Sequence, residues 1–173
     1  EAVTVLSNLK VFQGYDDGSF QPKGSITRAE VAAIICRIAT GDVTDSQVGI
    51  YADYNKFDDV KSTSWYAGYV NYCANAEYIK GYDAKTFGGS DSVTAAQAAL
   101  MLLKALGYFQ YQSDFGEDWQ MATIREANKI DLFIDVESGV IEPMTRNDLA
   151  QLVLNTLKAG TVEADNDTIK VDA

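Results

Sequence analysis

Apolar residues return at three- and four-residue steps in four stretches of this chain. Val31, Ile34, Ile35 and Ile38 form the first, and Tyr66, Tyr69, Val70, Cys73, Ala74 and Glu77, mostly apolar, form the second. Leu100, Leu103, Ala105 and Leu106 form the third, and Leu149, Leu152, Val153 and Leu157 the fourth. That period lines one face of an α-helix, so each stretch predicts an amphipathic helix. The segments between them are rich in Gly, Asp and Ser and predict loops. Three helix starts are marked. Thr27-x-x-Glu30 and Thr94-x-x-Gln97 are capping boxes, in which the Thr oxygen takes an orphan amide and the acid or amide reaches back. Thr145-x-x-Asp148 is a shorter variant.

The pattern repeats. Residues 14–30, GYDDGSFQPKGSITRAE, align without gaps on residues 81–97, GYDAKTFGGSDSVTAAQ, at an offset of 67. A weaker third copy reads Met144-Thr145-Arg146-Asn147-Asp148 before its apolar run. The upstream halves match as well, Trp65 opening one and Trp119 another. Trp65 to Thr94 spans 29 residues and Trp119 to Thr145 spans 26, so the third loop is shorter. It has lost the Gly-Tyr pair, with Asp135 where Gly81 stands. Thr27 to Thr94 is 67 residues and Thr94 to Thr145 is 51; most of the difference lies between Gly41 and Lys56, read here as a surface loop or projecting insertion. Each unit reads helix, loop, helix, and stacking the copies closes a core that one copy lacks.

Composition narrows the function. At 173 residues and 47% hydrophobic, the chain makes one domain or a tight array of small repeats. A formal charge of −11 argues against nucleic acid and against an anionic membrane surface. The absence of His removes Ser-His-Asp and Cys-His catalysis and His-ligated zinc. Cys36 and Cys73 are too few for a four-thiolate site and read as small core residues, a single bridge between them remaining open. No run of about 18 apolar residues exists to span a membrane. The opening Glu1-Ala2-Val3 is not an export signal. An EF-hand at Asp16 fails, because Gln21 and Thr27 fall where Gly and a bidentate Glu are needed. No acid pair is singled out for glycoside hydrolysis. The chain is therefore expected to have no catalytic centre, metal or cofactor.

Arg28 and Arg146 are not explained by capping. Each holds the first helical position, where a cation opposes the helix dipole. Each calls for an anionic partner, either an acidic side chain or an anionic ligand.

These residues resemble the S-layer homology domain family. The family pattern is an acidic F-x-D-V segment, a helix opening with Trp, a G-Y-x-D-G-x-F-x-P loop, then I-T-R-A-E and an apolar helix, usually in three copies. Here it is matched by Phe57-Asp58-Asp59-Val60, Trp65, Gly14 to Pro22, and Ile26-Thr27-Arg28-Ala29-Glu30. The resemblance implies an all-α fold, three helix-loop-helix repeats in a pseudo-threefold, three-pronged arrangement around a central helical bundle. It implies a monomeric, extracellular module that anchors a surface protein to bacterial cell-wall polysaccharide, often polysaccharide carrying pyruvate ketals, in grooves between prongs. The implied carbohydrate-binding residues are Arg28, Asp59, Trp65, Tyr66, Trp119 and Arg146. An Arg fork at a helix start suits a ketal carboxylate, with free amides adding positive potential, and the aromatic faces suit a sugar ring.

The repeats are bounded as 1–41, 42–108 and 109–160, with 161–173 a polar linker to a further module. By the 67-residue offset the Trp of the first copy falls before Glu1, so the chain is read as starting inside its first helix. In copy 2 the motif has become Thr94-Ala95-Ala96-Gln97, which keeps the cap and loses both charges. The altered motifs motivate an alternative: a protein-interaction or surface-lattice module that has lost glycan binding.

Overall fold

A computed structural model describes residue 2, residues 23–41, 48–108 and 118–159, and the backbone of 161–165 and 168–172. The first-copy loop, Gly14 to Pro22, with the rejected calcium motif, lies outside the described residues, as does nearly all of the first helix, whose Ala2 is helical and buried. Five α-helices are described: α1 (Arg28–Thr40), α2 (Ala67–Asn75), α3 (Ala95–Ala105), α4 (Trp119–Lys129) and α5 (Arg146–Ala159). They bear out the all-α expectation for the repeats. The segment read as a linker contains a small antiparallel hairpin, β1 (Thr161–Asp165) with β2 (Thr168–Asp172).

The caps form where the sequence places them. Thr27 Oγ1 accepts from the Glu30 amide at 3.2 Å and Thr94 Oγ1 from the Gln97 amide at 3.2 Å. Thr145 Oγ1 accepts from the Asp148 amide at 3.1 Å. Thr27→Ala or Thr94→Ala is expected to cost about 1 kcal/mol. Denaturant midpoints check this, and an unchanged midpoint in both variants contradicts the assigned caps.

The first helix of copy 2 ends sooner than its apolar spacing suggests. Glu77, read as the last helical position of α2, lies beyond it in the left-handed region at φ 63°. The Tyr78 amide then reaches the Cys73 carbonyl at 2.9 Å. In copy 3, Asp131 (φ 59°) and the Leu132–Ala127 bond at 2.9 Å repeat the same stop. It is the glycine-type helix ending made with acidic residues, so no glycine announces it.

Part of the insertion between Gly41 and Lys56 is not a free surface loop. A 3₁₀ helix, Gly49–Tyr54, packs on α2. Asn71 Nδ2 donates to the Tyr51 carbonyl at 2.8 Å, and Tyr51 meets Tyr72 edge-on at 5.3 Å. Gly68 permits the approach, since a Cβ there would stand 2.5 Å from the Val48 carbonyl oxygen.

The copies close into a ring. Thr27 of copy 1 bridges to Ser92 of copy 2, Thr94 of copy 2 to Pro143 of copy 3, and Thr145 of copy 3 to Ser25 of copy 1. The residues inside this ring, Ile26, Val93 and Met144, are fully buried. The Met144 amide donates to the Val93 carbonyl at 2.8 Å, and the Ile26 amide to the Met144 carbonyl at 3.3 Å. Helices follow the same order: α1 of copy 1 packs on α2 of copy 2, and α3 of copy 2 on α4 of copy 3. The second helices, α1, α3 and α5, meet through α3. Cys36 and Cys73 are buried and unbridged in the α1–α2 contact. A hydrogen bond with Cys36, then burial, pushes the Cys73 thiol well above its usual pKa, so it behaves as a core residue.

Candidate functional site

Each junction in the ring sets a helix start against the loop of the next copy. The Arg28 amide donates to the Asp91 carbonyl and the Ala29 amide to the Gly89 carbonyl, both at 3.0 Å. Ala96 does the same to Val140 at 2.9 Å, and Arg146 to Gly24 at 2.8 Å. These helix-start amides are therefore already bonded. The free amides expected beside Arg28 are not there, and recognition of an anion at these starts falls to side chains.

The junction of copies 1 and 2 gathers four of the six expected residues. Arg28 Nε donates to the Phe87 carbonyl at 3.0 Å and Nη2 to the Lys80 carbonyl at 2.8 Å. Its guanidinium carbon lies 4.7 Å from the Tyr82 ring centroid and 4.8 Å from that of Phe87. Asp59 accepts from the amides of Phe87 at 2.9 Å and Gly88 at 2.8 Å. Tyr66 lies against Gly89, where a Cβ would come 3.0 Å from its ring. Trp65 packs edge-on against Tyr66 at 5.5 Å and is 60% exposed. Thus Trp65 and Tyr66 of copy 2 share a junction with Arg28 of copy 1.

The electrostatics of this junction are uneven. Arg28 is 7% exposed, and no carboxylate lies within ion-pair reach of it among the described residues. Asp59 is committed to the two amides, and Asp91 accepts from the Tyr82 hydroxyl at 2.7 Å. Burial lowers the Arg28 pKa, partly offset by Tyr82, Asp91 and Asp59, but a guanidinium stays charged. Its Nη1 makes no hydrogen bond to a described residue.

The remaining two expected residues sit elsewhere. Trp119, 37% exposed, opens α4, which packs on α3 of copy 2, where Ala95 supplies no charge. Arg146 stands at the junction of copies 3 and 1, 4% exposed and ion-paired with Glu30. Among the described residues the two arginines thus differ: Arg146 has a side-chain acid as ion-pair partner and Arg28 has not. The six residues do not form one site.

Sequence reasoning missed Tyr82, Phe87 and Asp91. Gly81-Tyr82 and Phe87 recur in the aligned loops, so the signal for the first two was present. Asp91 has Gly24 as its counterpart and carries no such signal.

The S-layer homology domain profile matches residues 1–32 and 56–99, which lie within copies 1 and 2. The chain is 30% identical to the middle cell wall protein of Brevibacillus brevis over 94% of its own length and 15% of that protein's. It is 38% identical to a surface layer protein of Brevibacillus choshinensis over 62% of its length and 9% of that protein's. It is 32% identical to the cellulosome-anchoring protein of Acetivibrio thermocellus over 54% of its length and 20% of that protein's. In each case the chain corresponds to a fifth or less of the larger protein. The third copy rests on the internal repeat and on the two bridges that close the ring through it. With the loop-and-helix motif, the cyclic junctions and these matches together, the chain belongs to the S-layer homology domain family.

Proposed function

We propose that this chain is a non-catalytic module that holds a surface protein to the outside of the bacterial cell by binding cell-wall polysaccharide non-covalently, at the junction of copies 1 and 2. The observation that carries the reading is Arg28: a guanidinium with no carboxylate in ion-pair reach among the described residues, stacked on the exposed ring of Tyr82 at the junction that also holds Trp65. A sugar bearing a pyruvate ketal offers both a carboxylate for the cation and an apolar face for the rings. The names of the relatives support the setting, since they are cell-wall, surface-layer and anchoring proteins. A charge of −11 does not prevent contact with an anionic polymer. At physiological salt the Debye length is about 8 Å, so groups in contact decide.

Co-sedimentation with purified wall material tests the reading, with bound protein expected in the pellet. Trp65→Ala is expected to weaken binding about tenfold, the scale of a Trp anchor lost from an interface. Its thermal midpoint should stay near the parent's, because the side chain is largely exposed. Parent-like sedimentation of a folded Trp65→Ala protein contradicts the placement.

A further inference from the structure

We propose that Cys36 and Cys73 are joined in a disulfide when the chain folds outside the cell, stapling copy 1 covalently to copy 2 through the helix that begins at Arg28. The inference uses the extracellular setting of the family, where disulfides persist, and does not depend on sugar binding.

The chain has two cysteines, and folding brings both to one place. Cys36 lies on α1 of copy 1 and Cys73 on α2 of copy 2, the helices that pack the two copies together. They are 1% and 0% exposed. Cys73 Sγ donates to the Ala32 carbonyl at 3.4 Å. That carbonyl lies one helical turn before Cys36, at the position whose oxygen accepts from the Cys36 amide in an α-helix. The two thiols also share a hydrogen bond. Each sulfur is thus the other's neighbour, in a chain with no third thiol to compete.

The repeat shows what these positions need for packing alone. By the 67-residue offset Cys36 corresponds to Leu103 on α3. Cys73 corresponds to Ala127 on α4, since Trp65 to Cys73 and Trp119 to Ala127 are equal steps. The helix stops agree: the Cys73 carbonyl accepts from the Tyr78 amide as the Ala127 carbonyl accepts from the Leu132 amide, each at 2.9 Å. α3 packs on α4 as α1 packs on α2, and Leu103 and Ala127 are fully buried. One large and one small apolar residue therefore fill this contact between copies 2 and 3. Between copies 1 and 2 both positions hold thiols, which add the capacity to bond.

The oxidant is a disulfide, either of a small thiol or of a thiol oxidase at the cell surface. A thiolate of the folding chain attacks it, forming a mixed disulfide and releasing one thiol. The second cysteine attacks the protein sulfur of that mixed disulfide and releases the other thiol. The protein loses two electrons and two protons, and the oxidant is reduced to two thiols. Burial shields both sulfurs once the helices pack, so the bond forms during folding and afterwards resists reduction. It closes residues 36–73 into one covalent loop, with the 3₁₀ helix inside it, and so restrains the unfolded chain.

The test refolds the reduced chain with oxidised glutathione and counts thiols in denaturant. No free thiol should remain, the intact mass should fall by two hydrogens, and digestion without reductant should yield the Cys36 and Cys73 peptides joined. The oxidised chain should melt about 5–15 °C above the reduced one. A double variant, Cys36→Leu with Cys73→Ala, takes the residues used between copies 2 and 3 and should melt alike with and without oxidant. Two free thiols, or glutathione held in place of the bridge, overturns the proposal. A bridged chain that melts with the reduced one overturns the staple as well. None of these readouts involves a sugar, so the wall-polysaccharide reading stands or falls separately.

Discussion

Arg28→Ala is expected to weaken wall-polysaccharide binding by about 1.5–3 kcal/mol, the range for a hydrogen bond to a charged group, or roughly ten- to a hundredfold. The same change also loosens the ring. It removes the bonds to the Phe87 and Lys80 carbonyls and the stacking between Tyr82 and Phe87, so the protein should lose about 1–3 kcal/mol of stability. Arg28→Lys separates these effects, since it keeps the charge and gives up the planar fork. Arg146→Ala is the comparison. It strips Glu30 of its partner and should lower stability, yet leave affinity near the parent's, because Arg146 is already neutralised. Calorimetry on folded variants decides. Parent-like binding by a folded Arg28→Ala protein ends the anion-site account and favours a protein-interaction or lattice role.

Asp59→Ala should be the most destabilising of the expected site substitutions, by about 3 kcal/mol. Its carboxylate takes the amides of Phe87 and Gly88, and bonds to a charged acceptor are worth about 1.5–3 kcal/mol each before relaxation. Gly88 sits at φ 74° with Tyr82 pressed close, where a Cβ would come 2.4 Å from the ring. The loop therefore has little freedom to recover those bonds. Because Phe87 also supplies the carbonyl held by Arg28, loss of Asp59 should disturb binding indirectly. Asp59 is thus a positioning residue. Asp59→Asn keeps one acceptor oxygen and should recover part of the stability. Urea denaturation of the two variants checks the order, and equal midpoints with the parent contradict it.

Much of the fold was legible in the chain because it is written locally. The Thr27 and Thr94 boxes need only residues within one helical turn, and both formed as read. The periodic apolar faces likewise marked the second helices. What escaped was set by contacts distant in sequence. Glu77 and Asp131 end helices in a backbone conformation that favours glycine, so composition hides the stop. The packed 3₁₀ helix depends on Gly68 and Asn71, which sit on another element. At the site, the repeat named the arginines but not their partners. Arg146 meets Glu30 across 116 residues, and Arg28 meets the Phe87 and Lys80 carbonyls of the next copy, contacts that only the order of copies around the ring reveals. Trp65 and Arg28 belong to different copies, so their shared junction was equally unreadable from spacing.

The central claim is that an acidic sugar is held at the Arg28 junction. Its most direct test is calorimetric titration of the parent chain with isolated wall polysaccharide, before and after mild acid removes the pyruvate ketals. Saturable binding to the intact polymer is expected, with loss of most of that affinity once the ketal carboxylates are gone. Equal affinity for the two polymers, or none for either, contradicts it.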